Sequence, residues 1–272
     1  MGSGIAEVAA RSGNDVIVIE PTQQALDNGR SRIESSLANG VKRGKLTEAD
    51  ETAALARIQF FTDGAALADR ELVVEAIPEI EELKLDTFRM IDAAVEQPDA
   101  VLASNTSSVP IMKLAMGTKR PEQVVGIHFF NPVPVLPLVE LVPSLLTSEE
   151  VNGVATAFAE SLGKHVIRSQ DRAGFIVNSL LVPYILSSIR MFESGFASAA
   201  DIDQGMVQGC AHPMGPLALA DLIGLDTIAA IAVSMYEEFK EPLYAAPPLL
   251  SRMVDAGLLG RKVGRGFHDY QR

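Results

Sequence analysis

Residues 2–20 read GSGIAEVAARSGNDVIVIE, and their order decides the fold. Ile5, Val8 and Ala9 recur at helical spacing, Gly13-Asn14 supplies a stop, and DVIVIE (15–20) is a short apolar run ending in an acid. Helix, turn and buried strand in that order form the second half of a βαβ unit. Thr22 is a candidate N-cap for a helix running to about Gly40. Beyond it, strand-like IQFF (58–61), ELVVEA (71–76), AVLAS (100–104) and VVGIHFF (124–130) alternate with helical runs, among them the Glu- and Leu-rich 79–96. Such alternation implies a parallel sheet covered on both faces. The pattern changes after KHVIRS (164–169). Runs at 175–194, 199–210, 216–237 and 247–256 read as helices punctuated by Gly195, Pro213, Gly215, Gly224 and Pro247-Pro248. Two domains are expected, an α/β domain over 1–170 and an all-α domain over 171–272.

Composition narrows the function. Net charge is −12 over 272 residues, so the surface repels phosphate backbones and binding to nucleic acid is not expected. A single Cys excludes an intramolecular disulfide and a multi-Cys metal site, and it suits a reducing compartment. The uncharged run between Arg172 and Arg190 is interrupted by Asn178 and Pro183 and falls short of a bilayer span, which makes it a buried helix. The first residues lack the cationic segment of a signal peptide. The expectation is a cytoplasmic chain with no membrane partner and no metal.

Four stretches carry polar groups where chemistry needs them. In a dinucleotide-binding unit the last glycine of G-x-G-x-x-G opens a helix, and an acid about 20 residues on holds the adenosine ribose. Gly2 and Glu20 fit those places, and a carboxylate there favours NAD over NADP; a Gly-Ser tag before an ordinary helix, with Glu20 a surface acid, is the competing reading. In GIHFFNPVPVLPLVELV (126–142), His128 and Glu140 are equidistant from Pro134, which sets them opposite each other across an antiparallel pair. An imidazole beside a carboxylate is suited to general-base work, and a buried carboxylate without a partner would be costly. ASNTSSVP (103–110) places polar groups at the carboxyl end of a strand, where α/β sheets bind ligands, although Ser107 or Ser108 could serve only to cap a helix over 109–115. In DRAGFIVNSLL (171–181), Asn178 falls in the first turns of an apolar helix and needs polar partners.

With HPMGPLALADLIGLDT (212–227) and GRKVGRGFHDY (260–270), these motifs resemble, along essentially the whole chain, the 3-hydroxyacyl-CoA dehydrogenases, especially the bacterial enzymes acting on 3-hydroxybutyryl-CoA. The resemblance implies a Rossmann-type doubly wound sheet followed by a helical substrate and dimerisation domain. MGSGIAEV matches the second half of the family's first turn, so the first strand is expected to be missing and the native start to lie about 15 residues upstream. It further implies His128 as catalytic base, Glu140 as its partner, and Ser107 and Asn178 as groups binding and polarising the substrate oxygen. Gly2, Glu20, Glu75, Lys84 and Ser107 would contact NAD, and Ser36 and Arg43 the CoA moiety. Arg43 stands where a Lys is usual in the family. The implied reaction is NAD-linked interconversion of 3-hydroxyacyl-CoA and 3-oxoacyl-CoA in fatty acid metabolism, by a homodimer. Two alternatives stand beside it: a non-catalytic or cofactor-impaired member of the fold, and a dehydrogenase of free 3-hydroxy acids, which would use a Lys base.

Overall fold

A computed structural model describes residues 1–270; the last two residues of the expected second domain lie outside the described residues. The chain divides into two units, Met1–Asp171 and Arg172–Arg272.

The first unit runs α1 (Gly2–Arg11), β1 (Val16–Ile19), α2 (Gln23–Lys42), α3 (Glu48–Ala56), β2 (Ile58–Phe61), β3 (Leu72–Glu75), α4 (Glu81–Ala94), β4 (Val101–Ser104), α5 (Ile111–Met116), β5 (Val124–Phe129), β6 (Leu138–Pro143), α6 (Glu149–Ser161) and β7 (His165–Arg168). Thr22 caps α2 through the Ala25 N–H, as its sequence position predicts. Helix α3 was not anticipated, although Thr47 and Asp50 form a capping box that the sequence TEAD already contains. Among the described residues the strands form two sheets: β1 pairs with β2 in parallel, and β3-β4-β5-β6-β7 form a five-stranded sheet. Val16 of β1 packs into the core beneath both. The larger sheet is mixed, because β5 and β6 run antiparallel while its other neighbours are parallel. Ile5, Val8 and Ala9 of α1 and Val151, Ala155 and Ala159 of α6 cover one face, meeting Ile127, Phe129, Val139 and Leu141. Gly126 points the other way. A Cβ there would lie 2.9 Å from Ile111 of α5 and 2.8 Å from Val142, so nothing larger than hydrogen fits. By the two-residue period of a strand, His128 lies on this second face, with α5 and the loop that precedes it.

The second unit contains α7 (Val177–Glu193), α8 (Ala199–Cys210), α9 (Pro216–Ile223), α10 (Leu225–Phe239) and α11 (Pro248–Asp255), packed around Ile185, Leu186, Ile189, Leu217, Leu225 and Met235. The run 216–237 is two helices. Gly224, at φ 104°, adopts a backbone that other residues avoid, and the chain bends there by 96°. Among the described residues no single helix is long and apolar enough to cross a membrane. Asp203 accepts the first N–H groups of α9, from Leu217 and Ala218, at 2.8 and 2.9 Å. Asp221 accepts the Phe267 and His268 N–H groups at 2.9 Å each and the Tyr270 hydroxyl at 3.1 Å. His268 Nε2 meets Asp203 Oδ2 at 2.7 Å, so the terminal GRKVGRGFHDY clasps two buried acids.

Candidate active site

His128 and Glu140 face each other in the β5–β6 register that the proline spacing predicted. His128 Nδ1 lies 2.7 Å from Glu140 Oε2, and Nε2 lies 2.9 Å from Ser107 Oγ. Glu140 is fully buried and His128 nearly so. A carboxylate at that depth keeps the proton of the neutral ring on Nδ1, which leaves the Nε2 lone pair facing Ser107. The Phe130 ring stacks edgewise on the imidazole at 4.7 Å and restricts its rotation.

Ser107 does not cap a helix. Helix α5 starts only after Pro110, and its first N–H groups, from Ile111 and Met112, donate to the two carboxylate oxygens of Asp171 at 2.7 Å each. The helix end is thus satisfied from outside the loop, and the Ser107 hydroxyl is available to His128. Asn105 Oδ1 accepts the Phe129 N–H at 2.8 Å and ties the loop to β5 beside His128.

Glu75 and Lys84, expected at the cofactor, are paired with each other. Lys84 Nζ sits 2.7 Å from Glu75 Oε1, both side chains are at most 1% exposed, and Glu75 Oε2 accepts the Ser104 hydroxyl at 2.6 Å. Lys84 also reaches Glu79 Oε2 at 3.2 Å, and Glu79 was missed in the sequence. Its Oε1 accepts from the N–H groups of Ser107 and Ser108 at 2.9 Å each, from Ser108 Oγ at 3.0 Å and from Thr106 Oγ1 at 2.5 Å. Burial alone would raise the Glu79 pKa; Lys84 and these donors outweigh it and hold the carboxyl below its ordinary value.

Gly2 and Glu20, expected at the dinucleotide, lie at the two ends of the first helix–strand unit. Helix α1 begins at Gly2, and the Gly4 and Ile5 N–H groups donate to the Met1 carbonyl at 2.9 and 3.2 Å. A Cβ on Gly4 would meet Val133 at 3.0 Å, so the backbone approaches the 131–134 turn closely. Glu20 follows directly on β1, half-buried, at the carboxyl end of the strand. Ser36 lines a cavity of about 190 Å³ together with Ser3, Gly4, Arg32, Asn131 and Pro132. Arg43 is exposed at the carboxyl end of α2, two turns beyond Ser36 on the same helix face. Asn178 is the second residue of α7 in the helical unit and is buried. A larger cavity of about 430 Å³ beside Arg11, Arg57 and Lys164 contains none of these groups. Among the described residues no cluster of His, Cys, Asp and Glu has the makings of a metal site.

Two family profiles cover nearly the whole chain: the NAD binding domain of 3-hydroxyacyl-CoA dehydrogenase over residues 1–172 and the C-terminal domain of the same enzyme over 174–270. The chain belongs to the 3-hydroxyacyl-CoA dehydrogenase family. Members are NAD-dependent oxidoreductases, and the α/β unit is this family's NAD-binding domain. A 3-hydroxybutyryl-CoA dehydrogenase of Mycobacterium tuberculosis is 57% identical over 271 residues, covering 99% of this chain and 95% of its own. The human mitochondrial hydroxyacyl-coenzyme A dehydrogenase is 39% identical over 278 residues, covering 100% of this chain and 88% of its own. Among solved structures, an (S)-3-hydroxybutyryl-CoA dehydrogenase from Ralstonia eutropha superposes with a TM-score of 0.94 at 43% identity, covering 100% of this dehydrogenase chain and 96% of its own.

Proposed function

We propose that this chain interconverts 3-hydroxybutyryl-CoA and acetoacetyl-CoA. The observation that carries the reading is the hydrogen-bonded line from the partly exposed Ser107 through His128 to the buried Glu140, with hydrogen bonds of 2.9 and 2.7 Å. In the oxidative direction the substrate hydroxyl must lose its proton as C3 is oxidised, and His128 Nε2 accepts it. The Glu140 carboxylate, hydrogen-bonded through Nδ1, stabilises the imidazolium so formed. Ser107 Oγ donates to the same substrate oxygen as charge develops there, and Asn178 is assigned as a second donor by family resemblance. In reduction His128 returns the proton. NAD, when bound, supplies the hydride acceptor; the first N–H groups of α1 at Gly2 would hold its pyrophosphate and Glu20 its adenosine ribose. Ser36 and Arg43 are assigned to the CoA moiety.

The same reading places the chain in the cytoplasm, in fatty acid breakdown, and in a homodimer. Leu180, Phe196 and Val233 of the helical unit are more than half exposed, and apolar side chains of that size favour a covered surface. The second reading is a family member with impaired cofactor binding. The deciding experiment follows NADH consumption with acetoacetyl-CoA beside a calorimetric titration of NADH. Turnover with saturable NADH binding supports the dehydrogenase; a folded chain that binds NADH poorly and turns over nothing supports the second reading.

A further inference from the structure

Beyond the reacting line itself, and resting on its assignment above, we propose that Glu79 is a positioning residue that sets the Ser107 hydroxyl against His128 by holding the backbone of residues 106–108. One oxygen of its carboxylate collects four donors, two of them the N–H groups of Ser107 and Ser108. An oxygen so used has no acceptor site left for a ligand. Its other oxygen meets Lys84, whose ammonium is locked onto Glu75. Glu75 in turn takes the Ser104 hydroxyl, and Ser104 Oγ accepts the Thr106 N–H at 3.1 Å. The loop is thereby fixed from both of its ends by one buried ammonium shared between two carboxylates. With Glu79 gone, the Ser107 N–H loses its acceptor and the Ser108 N–H keeps Thr106 Oγ1 at 3.3 Å; Asn105 still ties the start of the loop to β5, but the carboxylate that gathers residues 106–108 and sets Ser107 Oγ 2.9 Å from Nε2 is lost.

Steady-state reduction of acetoacetyl-CoA by wild type, E79A, S107A and the double variant tests this. Misplacement of a reacting group costs on the order of 10- to 100-fold, and E79A is expected to lose that much in kcat. NADH affinity should stay within about twofold, and in the S107A background E79A should cost less than about a further twofold, because coupled groups do not add. Additive losses, or a loss confined to NADH affinity, overturn the proposal. Nitrogen NMR of the His128 ring reads the Ser107 contact without turnover. E79A should shift the Nε2 signal as S107A does, and an unshifted signal overturns the proposal whatever the enzyme's substrate. Should E79A fail to fold, S108A removes one donor and leaves the carboxylate in place; its smaller loss must again vanish in the S107A background. Absence of wild-type turnover with the expected NMR shift would count against the substrate reading alone.

Discussion

His128 is gripped from two directions, by Glu140 on Nδ1 and by Phe130 on the ring edge, so replacements differ in what they leave behind. Removing the ring altogether would strand a fully buried carboxylate, at a cost of about 3–5 kcal/mol. His128→Gln keeps an amide donor toward Glu140 and is expected to fold. Loss of a general base typically costs about 10²- to 10⁴-fold in rate, and H128Q should lose kcat in that range while NADH titration stays nearly unchanged. Near-normal turnover would remove His128 from its role. A parallel change at Lys84 acts on the scaffold: Lys84→Met leaves Glu75 and Glu79 facing each other without their shared cation, and thermal melting should show a loss of about 3–5 kcal/mol. The His128–Glu140 pair was legible because the eleven residues between them, three of them prolines, permit little but a hairpin. Glu79 was not, since its partners lie 27 to 29 residues downstream and no local period connects them.

The loop and helix that follow β4 show how elements borrow their termini from afar. Helix α5 has Pro110 at its N-cap and no side chain of its own to accept the first N–H groups; Asp171, some 60 residues on, supplies both oxygens. Asp171→Ala should lower stability by about 1–2 kcal/mol in denaturant melts, whereas S108A should leave α5 intact. Sequence proximity made Ser107 and Ser108 look like the cap, and only the tertiary structure shows the acid that took the role. The neighbouring loop titrates. Because folding depresses the Glu79 pKa, its ionised form contributes stability above the ordinary carboxylate range, and that contribution disappears as pH falls through the folded value. Melting temperature should drop on acidification below about pH 4, and the drop should be shallower in E79Q. Strand positions were read well, since apolar runs with short turns admit few alternatives. Helix α3 escaped notice because its apolar pattern is weak and only its capping box marks it.

At the scale of the molecule, a chain of net charge −12 is assigned substrates that are themselves anions. The long-range field opposes their approach, so local cations such as Arg43 must act at short distance. Arg43→Ala is expected to raise KM for acetoacetyl-CoA severalfold with kcat unchanged, and an unchanged KM would free Arg43 from that assignment. The order of strands and the change to a helical second unit were visible in the sequence because patterning sets layers. The clasp at the carboxyl end was visible only as a motif, since what it holds is two acids at positions 203 and 221.

That clasp has a consequence for biosynthesis. Asp221 and Asp203 receive Phe267, His268 and Tyr270 only when residues 266–270 are free to fold back, and a Cβ on Gly266 would sit 1.9 Å from the Asp221 carboxylate. While those residues are still inside the ribosome, the acids of the nascent helical unit have lost water without gaining all their partners. The unit should therefore resist protease only once residues 260–270 have emerged, whereas the α/β unit, made first, should already be protected on shorter stalled nascent chains.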